Sequence, residues 1–342
     1  METRIRYIDI IKGIGIVLMI AEHWFYTDAP VFSALVCSFH MPLFFIASGM
    51  LFHETSQEQL LIKRVKGLIV PILIFYCIDF VLQIILTIPQ VKILETVSYW
   101  VRFRGAWFVI ALFIASLLFN LIYKAVKGKC IWLFLLMALI YILGLLAAFF
   151  EVPVEDNLKK AFVGIGFYFF GFLLSRVRLA ERIQNFHIVF KVAVLALSVS
   201  VLVVAAIWRN DYMVLMYNND YGNPAVFTLK AVLCSLAVIT VCILIGHCKL
   251  FEQLGKNSLL MMFLSFPVYL TLKSVFTHLF LYIWGESIFD GVVGLAINLS
   301  MITIVVLLSF FLAVLVEKKW PVLAGKRAKN EAKGSGGDRQ QH

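Results

Sequence analysis

The sequence predicts an all-α fold: a polytopic membrane bundle of about ten transmembrane helices, with both termini in the cytoplasm. Three observations predict it, namely the composition, the recurrence of long apolar runs and the alternation of basic and acidic loops. Of the 342 residues, 62% are hydrophobic and only 15% are charged, whereas a soluble protein of this length needs more polar surface. Because lipid offers no hydrogen-bond partners, the backbone N–H and C=O groups must form their hydrogen bonds within helices.

The chain contains apolar runs that can each cross a hydrocarbon core, which takes about 20 helical residues. They cover residues 8–26, 32–53, 68–88, 107–124, 130–150, 160–176, 188–208, 225–245, 258–282 and 288–316. We therefore expect one transmembrane domain over residues 1–320. Residues 321–342 are rich in glycine, lysine and polar side chains without apolar periodicity, and they are predicted to form a disordered cytoplasmic tail.

The loop charges predict the orientation of the spans. Basic clusters occupy every second connection and both termini, at residues 4–12, 63–66, 124–129, 176–182, 249–256 and from 318 on. Because basic loops stay in the cytoplasm, their alternation with acidic or mixed loops predicts an even number of spans. The basic residues are spread over short loops rather than over one face, so nucleic acid is not expected as a partner despite the net charge of +10.

Six cysteines show no paired spacing, so we expect neither a disulfide framework nor a metal site. The chain starts like a signal peptide, with arginines before the first apolar run. However, the small-residue cleavage pattern is missing and Glu22-His23-Trp24 follows. The first helix is therefore expected to remain uncleaved.

The first apolar run carries a cation and an imidazole, Lys12 and His23. They are eleven residues apart, so on a helix their side chains project within roughly 20° of each other, about 16 Å apart along the axis. An ionisable residue within a membrane span is costly, which favours a functional role for the pair. Glu22 points about 100° away from His23 and is not expected to be its direct partner. The structural alternative is a snorkelling lysine and a histidine hydrogen-bonded within the bundle.

The second run descends from the outer face through Ser38-Phe-His40-Met-Pro to Ser48-Gly49. His40 should reach a depth similar to that of His23. The pair Ser48-Gly49 is suited to close helix packing. His40 is therefore either a structural polar contact or a group that faces the same site as His23.

Two further basic segments are candidates for ligand binding. Lys63, Arg64 and Lys66 lie at the inner start of the third span, where they either set the topology or bind the phosphates of a cytoplasmic cofactor. Arg102 and Arg104 lie on a predicted outer loop, against the positive-inside trend. These two arginines are suited to an anionic or polyhydroxyl ligand, whereas the neighbouring Trp107 is typical of a membrane interface.

Together these segments resemble the acyltransferase 3 family of integral membrane O-acyltransferases, and most closely its fucose 4-O-acetylase-like and exopolysaccharide O-acetyltransferase group. The matching motifs occur in the family's order over most of the chain. They are Tyr-Ile-Asp-Ile-Ile-Lys-Gly-Ile-Gly through His23, Phe-His-Met-Pro-Leu-Phe-Phe-Ile-Ala-Ser-Gly, the basic stretch before Pro71, Ala-Trp-Phe at 106–108, Phe-Tyr-Phe-Phe-Gly at 167–171 and Leu-Gly-Lys-Asn-Ser at 254–258.

The resemblance implies transfer of an acyl group, usually acetyl, from cytoplasmic acyl-CoA to a sugar hydroxyl in the bacterial plasma membrane. The co-substrate is then acetyl-CoA, without a metal. The implied partners are a lipid-linked or polymeric saccharide acceptor and polysaccharide assembly machinery. Lys12 and His23 occupy the family's basic and histidine positions. Lysine replaces the commoner arginine, so a point charge is kept while bidentate phosphate contacts are lost.

A mechanism follows as a hypothesis. The inner cations hold the CoA phosphates, and the thioester reaches His23, which acts as a general base or as a transient acyl carrier. Other polar residues would orient the acceptor or stabilise the oxyanion. The catalytic candidates are His23 and Lys12. The phosphate-binding candidates are Lys12, Lys63, Arg64 and Lys66. The acceptor candidates are His40, Ser48, Arg102, Arg104 and Trp107.

Two other functions fit a protein with about ten spans and basic inner loops. One is a transporter or flippase for a lipid-linked saccharide, and the other is a non-catalytic partner in polysaccharide assembly. Neither requires Lys12 and His23 to share a helix face. Neither releases free thiol from acetyl-CoA, so that release distinguishes both from an acyltransferase.

Overall fold

The computed structural model describes residues 5–26, 29–77, 104–208, 213–284 and 291–321. Within these ranges the chain forms helices, turns and one isolated β-bridge. Among the helices of the described residues, seven are long and apolar enough to cross a membrane. The all-α membrane fold is therefore confirmed, while the count of ten spans and the cytoplasmic termini stay predictions. The predicted tail lies outside the described residues.

The helices follow the predicted apolar runs closely. They are α1 (Arg6–Phe25), α2 (Pro30–Met50), α3 (Gln57–Arg64), α4 (Trp107–Ala125), α5 (Cys130–Phe149), α6 (Asp156–Arg176), α7 (Leu179–Gln184), α8 (Ile188–Ile207), α9 (Pro224–Ile245), α10 (Lys249–Lys256), α11 (Ser258–Trp284) and α12 (Gly291–Lys319). A π-helical turn, Val65–Ile69, continues α3 into helical residues 70–77.

Helices α1, α2 and α6 form the centre of the bundle, and glycines bring them close together. A Cβ atom at Gly49 of α2 would clash with the backbone carbonyl of Tyr168 in α6, and one at Gly171 would clash with that of Ile46. Small residues allow membrane helices to approach until their backbones touch. The close packing expected at Ser48-Gly49 therefore occurs at Gly49.

Helices α5 and α8 lie at the outside of the bundle. Helix α8 buries only Ser198 and Ala205, whereas Leu197, Val204 and Ile207 are more than half exposed. A helix that is apolar on every side but remains exposed suits a lipid environment. This exposure explains why the composition contains so little polar surface.

The short helix α10 connects α9 with α11 and packs across the first half of α1. A Cβ at Gly255 would clash with the carbonyl of Asp9, and one at Gly13 would clash with that of Phe251. Within this connection Glu252 accepts a hydrogen bond from His247 Nδ1 at 2.5 Å. Burial raises the pKa of the Glu252 carboxyl, but the hydrogen bond and charge of His247 outweigh it, so the pKa lies below its ordinary value.

Candidate functional site

The outer half of α1 carries a carboxylate–imidazole pair. His23 Nδ1 donates a hydrogen bond to Glu22 Oε2 at 2.5 Å, and the Glu22 side chain is 3% exposed while that of His23 is 45% exposed. The expectation that Glu22 is not a direct partner of His23 is therefore wrong. The 100° angle applies to the Cα–Cβ directions, whereas the rotatable bonds of glutamate allow its carboxylate to reach its neighbour. We call Glu22 and His23 the dyad.

Helix α2 places a thiol and a second imidazole beside the dyad. Cys37 Sγ donates to Glu22 Oε1 at 3.3 Å. His40 is buried, and its Nδ1 lies 2.7 Å from the carbonyl of Val36. Since a carbonyl only accepts, Nδ1 carries the proton, and Nε2 is the free acceptor of the neutral ring. Glu22 interacts electrostatically with both His23 and His40, so one cluster contains both predicted histidines.

Three helices hold the outer end of α1. The carbonyl of Phe25 accepts from Ser33 Oγ of α2 at 3.2 Å. Trp24 Nε1 donates to Asn298 Oδ1 of α12 at 2.8 Å, and Lys273 Nζ of α11 donates to the Trp24 carbonyl at 3.1 Å. Sequence reasoning missed Lys273, although a lysine within an apolar run is the signal for a polar contact inside the bundle.

A cavity of about 160 Å³ lies between α1, α2, the π-helical turn, α4 and α11. One stripe of α1 and one stripe of α2 form two of its walls, with side chains repeating at helical spacing. These residues are Lys12, Ile16 and Met19 on α1, and Met41, Phe44 and Ser48 on α2. Ser48 therefore contributes to the cavity wall and not to the histidine cluster.

His23 of the dyad and Cys37 continue these two stripes outward. His23 follows Met19 by four residues on α1, and Cys37 precedes Met41 by four residues on α2. Each is therefore about 6 Å, or slightly more than one turn, beyond the last cavity-lining residue of its helix. His23 itself does not line the cavity. Lys12 and His23 thus share one face of α1, with the cavity between them.

Of the four predicted inner cations, two line the cavity and two do not. Arg64 lines it together with Lys12, whereas Lys63 and Lys66 are exposed outside it. Arg64 interacts with the hydroxyl of Tyr168, and its buried Nε has no hydrogen-bond partner among the described residues. The π-helical turn begins directly after Arg64, and such turns occur frequently at functional sites.

Of the predicted outer residues, the structure describes the side chain of Trp107. Trp107 is buried rather than exposed at a lipid interface, and Lys160 Nζ lies 5.6 Å from the centre of its ring. The same ammonium group lies 5.7 Å from the ring of Tyr217. Sequence reasoning missed Lys160. Arg102 and the side chain of Arg104 lie outside the described residues.

One protein-family model matches nearly the whole chain, including the residues of the site. The acyltransferase domain model of the acyltransferase 3 family matches residues 5–318. The chain belongs to the acyltransferase 3 family. This membrane acyltransferase has the dyad, the cavity and both lining cations within the matched range. No curated protein and no solved structure matches the chain, and the fucose 4-O-acetylase-like subgroup stays a prediction.

Proposed function

We propose that this acyltransferase moves an acetyl group from cytoplasmic acetyl-CoA to a hydroxyl of a lipid-linked or cell-surface saccharide, in the bacterial plasma membrane. The observation that carries the proposal is the hydrogen bond between Glu22 and His23. It provides an oriented base one turn beyond a cavity that contains Lys12 and Arg64. A transporter or a non-catalytic partner has no need of such a base.

The donor end of the site matches the chemistry of CoA. The CoA phosphates need cations at the inner end, where Lys12 supplies a point charge and Arg64 supplies a planar fork. The Nε–H of this fork has no hydrogen-bond partner within the described part of the chain. The pantetheine arm of CoA is largely apolar at its centre, and Ile16, Met19 and Phe44 line the cavity on the side of Lys12 that faces the dyad. The axial rise of about 16 Å from Lys12 to His23 suits an extended arm with the thioester at its outer end.

The dyad supplies the base for the chemical step. With Nδ1–H bonded to Glu22, Nε2 of His23 accepts the proton of the sugar hydroxyl while the hydroxyl oxygen attacks the thioester carbonyl. The tetrahedral intermediate then expels the CoA thiolate, and the thiolate accepts the proton from Nε2 to leave as the free thiol. Glu22 fixes the ring tautomer and stabilises the imidazolium between these two transfers, as the carboxylate of a catalytic triad does. His40, on the neighbouring helix, is placed to orient the acceptor.

The proposal is tested with purified protein in nanodiscs, acetyl-CoA and a membrane glycan extract. We expect free CoA thiol to appear only when both substrates are present, and mass spectrometry to find glycans heavier by one acetyl group. A protein that inserts and folds but consumes no acetyl-CoA with any glycan fraction would instead be a transporter or an assembly partner.

Arg64→Met should raise the KM for acetyl-CoA about 10- to 100-fold, because a hydrogen bond between charged groups contributes about 1.5–3 kcal/mol. The turnover number should change little, since Arg64 lies at the opposite end of the cavity from the dyad. The KM of Arg64→Lys should lie between those of the unmodified protein and Arg64→Met, because lysine keeps the charge and loses the planar fork. Steady-state kinetics at varied acetyl-CoA concentration measures both constants.

The control is Lys129→Met, which removes an exposed cation between α4 and α5, away from the cavity. Its KM should match that of the unmodified protein. An equal rise in both variants would show that only the general positive charge matters, and Arg64 would lose its assigned role.

A further inference from the structure

We infer that Cys37 is a positioning residue for the dyad, acting through Glu22. The inference rests on the proposed function, because it concerns how the base is held in place. Cys37 Sγ donates to Glu22 Oε1 at 3.3 Å, while His23 uses the other oxygen, Oε2. The thiol is therefore bonded to the same carboxylate that orients the imidazole, from the opposite side and from a different helix.

The energetics of a buried carboxylate make this second bond important. Glu22 is 2% exposed and lies within a membrane-spanning bundle, where a charged group that lacks partners is strongly destabilised. Among the described residues, His23 and Cys37 are the two side chains with a hydrogen bond to this carboxylate. Without the thiol, Oε1 has no described side-chain donor, and the carboxylate is free to rotate away from Nδ1 of His23.

His40 does not replace the thiol in this role. Its Nδ1 proton is used by the carbonyl of Val36, and its Nε2 is then an acceptor that cannot donate to a carboxylate. Cys37 is equally unsuited to act as a nucleophile, because the neighbouring negative charge disfavours the thiolate. The thiol therefore stays protonated and acts as a hydrogen-bond donor to Glu22.

The position of Cys37 in α2 also links the dyad to the cavity. Cys37 precedes Met41, Phe44 and Ser48 on the stripe of α2 that forms the cavity wall. The thiol bond therefore connects α1 and α2 just beyond the point where the thioester is expected. Loss of this bond should affect the catalytic step and leave the binding of the CoA phosphates, two to three helical turns away, unchanged.

The experiment compares Cys37→Ala and Cys37→Val, which lack the donor, with Cys37→Ser, which keeps one. Cys242→Ala is the matched control, because Cys242 is also buried, in α9, and has no bond to Glu22. We expect kcat to fall about tenfold in the alanine and valine variants with the KM for acetyl-CoA unchanged. The kcat of the serine variant should stay within about threefold of that of the unmodified protein, and the kcat of Cys242→Ala should equal that of the unmodified protein. Melting in detergent verifies that each variant is folded.

The inference is overturned if Cys37→Ala and Cys37→Val keep full kcat, or if Cys37→Ser loses as much as they do, since the thiol would then act through packing alone. His23→Ala and Glu22→Gln run in parallel separate the two proposals. If they are inactive while Cys37→Ala is fully active, only the positioning role fails. If His23→Ala remains active, the proposed function fails.

Discussion

Replacing His23 with alanine should lower the turnover number about 10²–10⁴-fold, the range that a general base contributes. The substitution removes Nε2, the atom that we propose accepts the substrate proton, and leaves the inner cations in place. The KM for acetyl-CoA should therefore stay nearly constant. Because the His23 side chain is 45% exposed, its removal leaves no sealed void. It also leaves the buried carboxylate of Glu22 with the Cys37 thiol as its one described side-chain donor, so the folded yield is measured beside the turnover number.

Acceptor-dependent release of CoA thiol measures this effect directly. Glu22→Gln should show a large part of the loss, since the amide keeps the shape of the side chain and removes the charge that stabilises the imidazolium. His53→Ala is the control, because His53 is also exposed and follows the other end of α2 from Cys37, where its Nδ1 donates to the carbonyl of Leu51. Turnover above one tenth of the normal value in His23→Ala would exclude His23 as the base.

The fold class could be predicted from the sequence because hydropathy and loop charge are local properties. An apolar run of about 20 residues is long enough to span the membrane, and the helices α4, α5, α8 and α9 begin and end near the predicted limits. The alignment of Lys12 with His23 could be predicted for the same reason. It depends on helical periodicity within one element, and the structure shows α1 as one unbroken helix.

The partners of these residues could not be predicted, since they depend on side-chain rotamers and on the register between helices. The direction of the Cα–Cβ bond suggested that Glu22 points away from His23, yet the flexible side chain brings its carboxylate back. Nothing in the sequence of α2 shows that Cys37 faces α1. Among three neighbouring inner cations, only the helix phase relative to the cavity selects Arg64 over Lys63 and Lys66.

The second large effect is expected at the contact between α1 and α10. Gly255→Ala should lower the free energy of unfolding by about 1–3 kcal/mol, the cost of overpacking a tight contact, and Gly255→Val should lower it further. The added Cβ would meet the backbone carbonyl of Asp9 and the backbone nitrogen of Gly13. Backbone atoms within a helix cannot rotate aside as a side-chain tip does, so α10 must move away from α1 as a whole.

This displacement should reach the donor site, because Lys12 lies between Asp9 and Gly13 and lines the cavity. We therefore expect the surviving folded fraction of Gly255→Ala to show a raised KM for acetyl-CoA as well as a lower melting temperature. Gly67→Ala is the control for stability, since the Cβ it adds meets no heavy atom of another described segment within 4 Å. Equal melting temperatures for the two alanine variants would mean that α10 does not pack against α1 as described. A lower melting temperature with an unchanged KM would mean instead that this contact stabilises the fold without positioning Lys12.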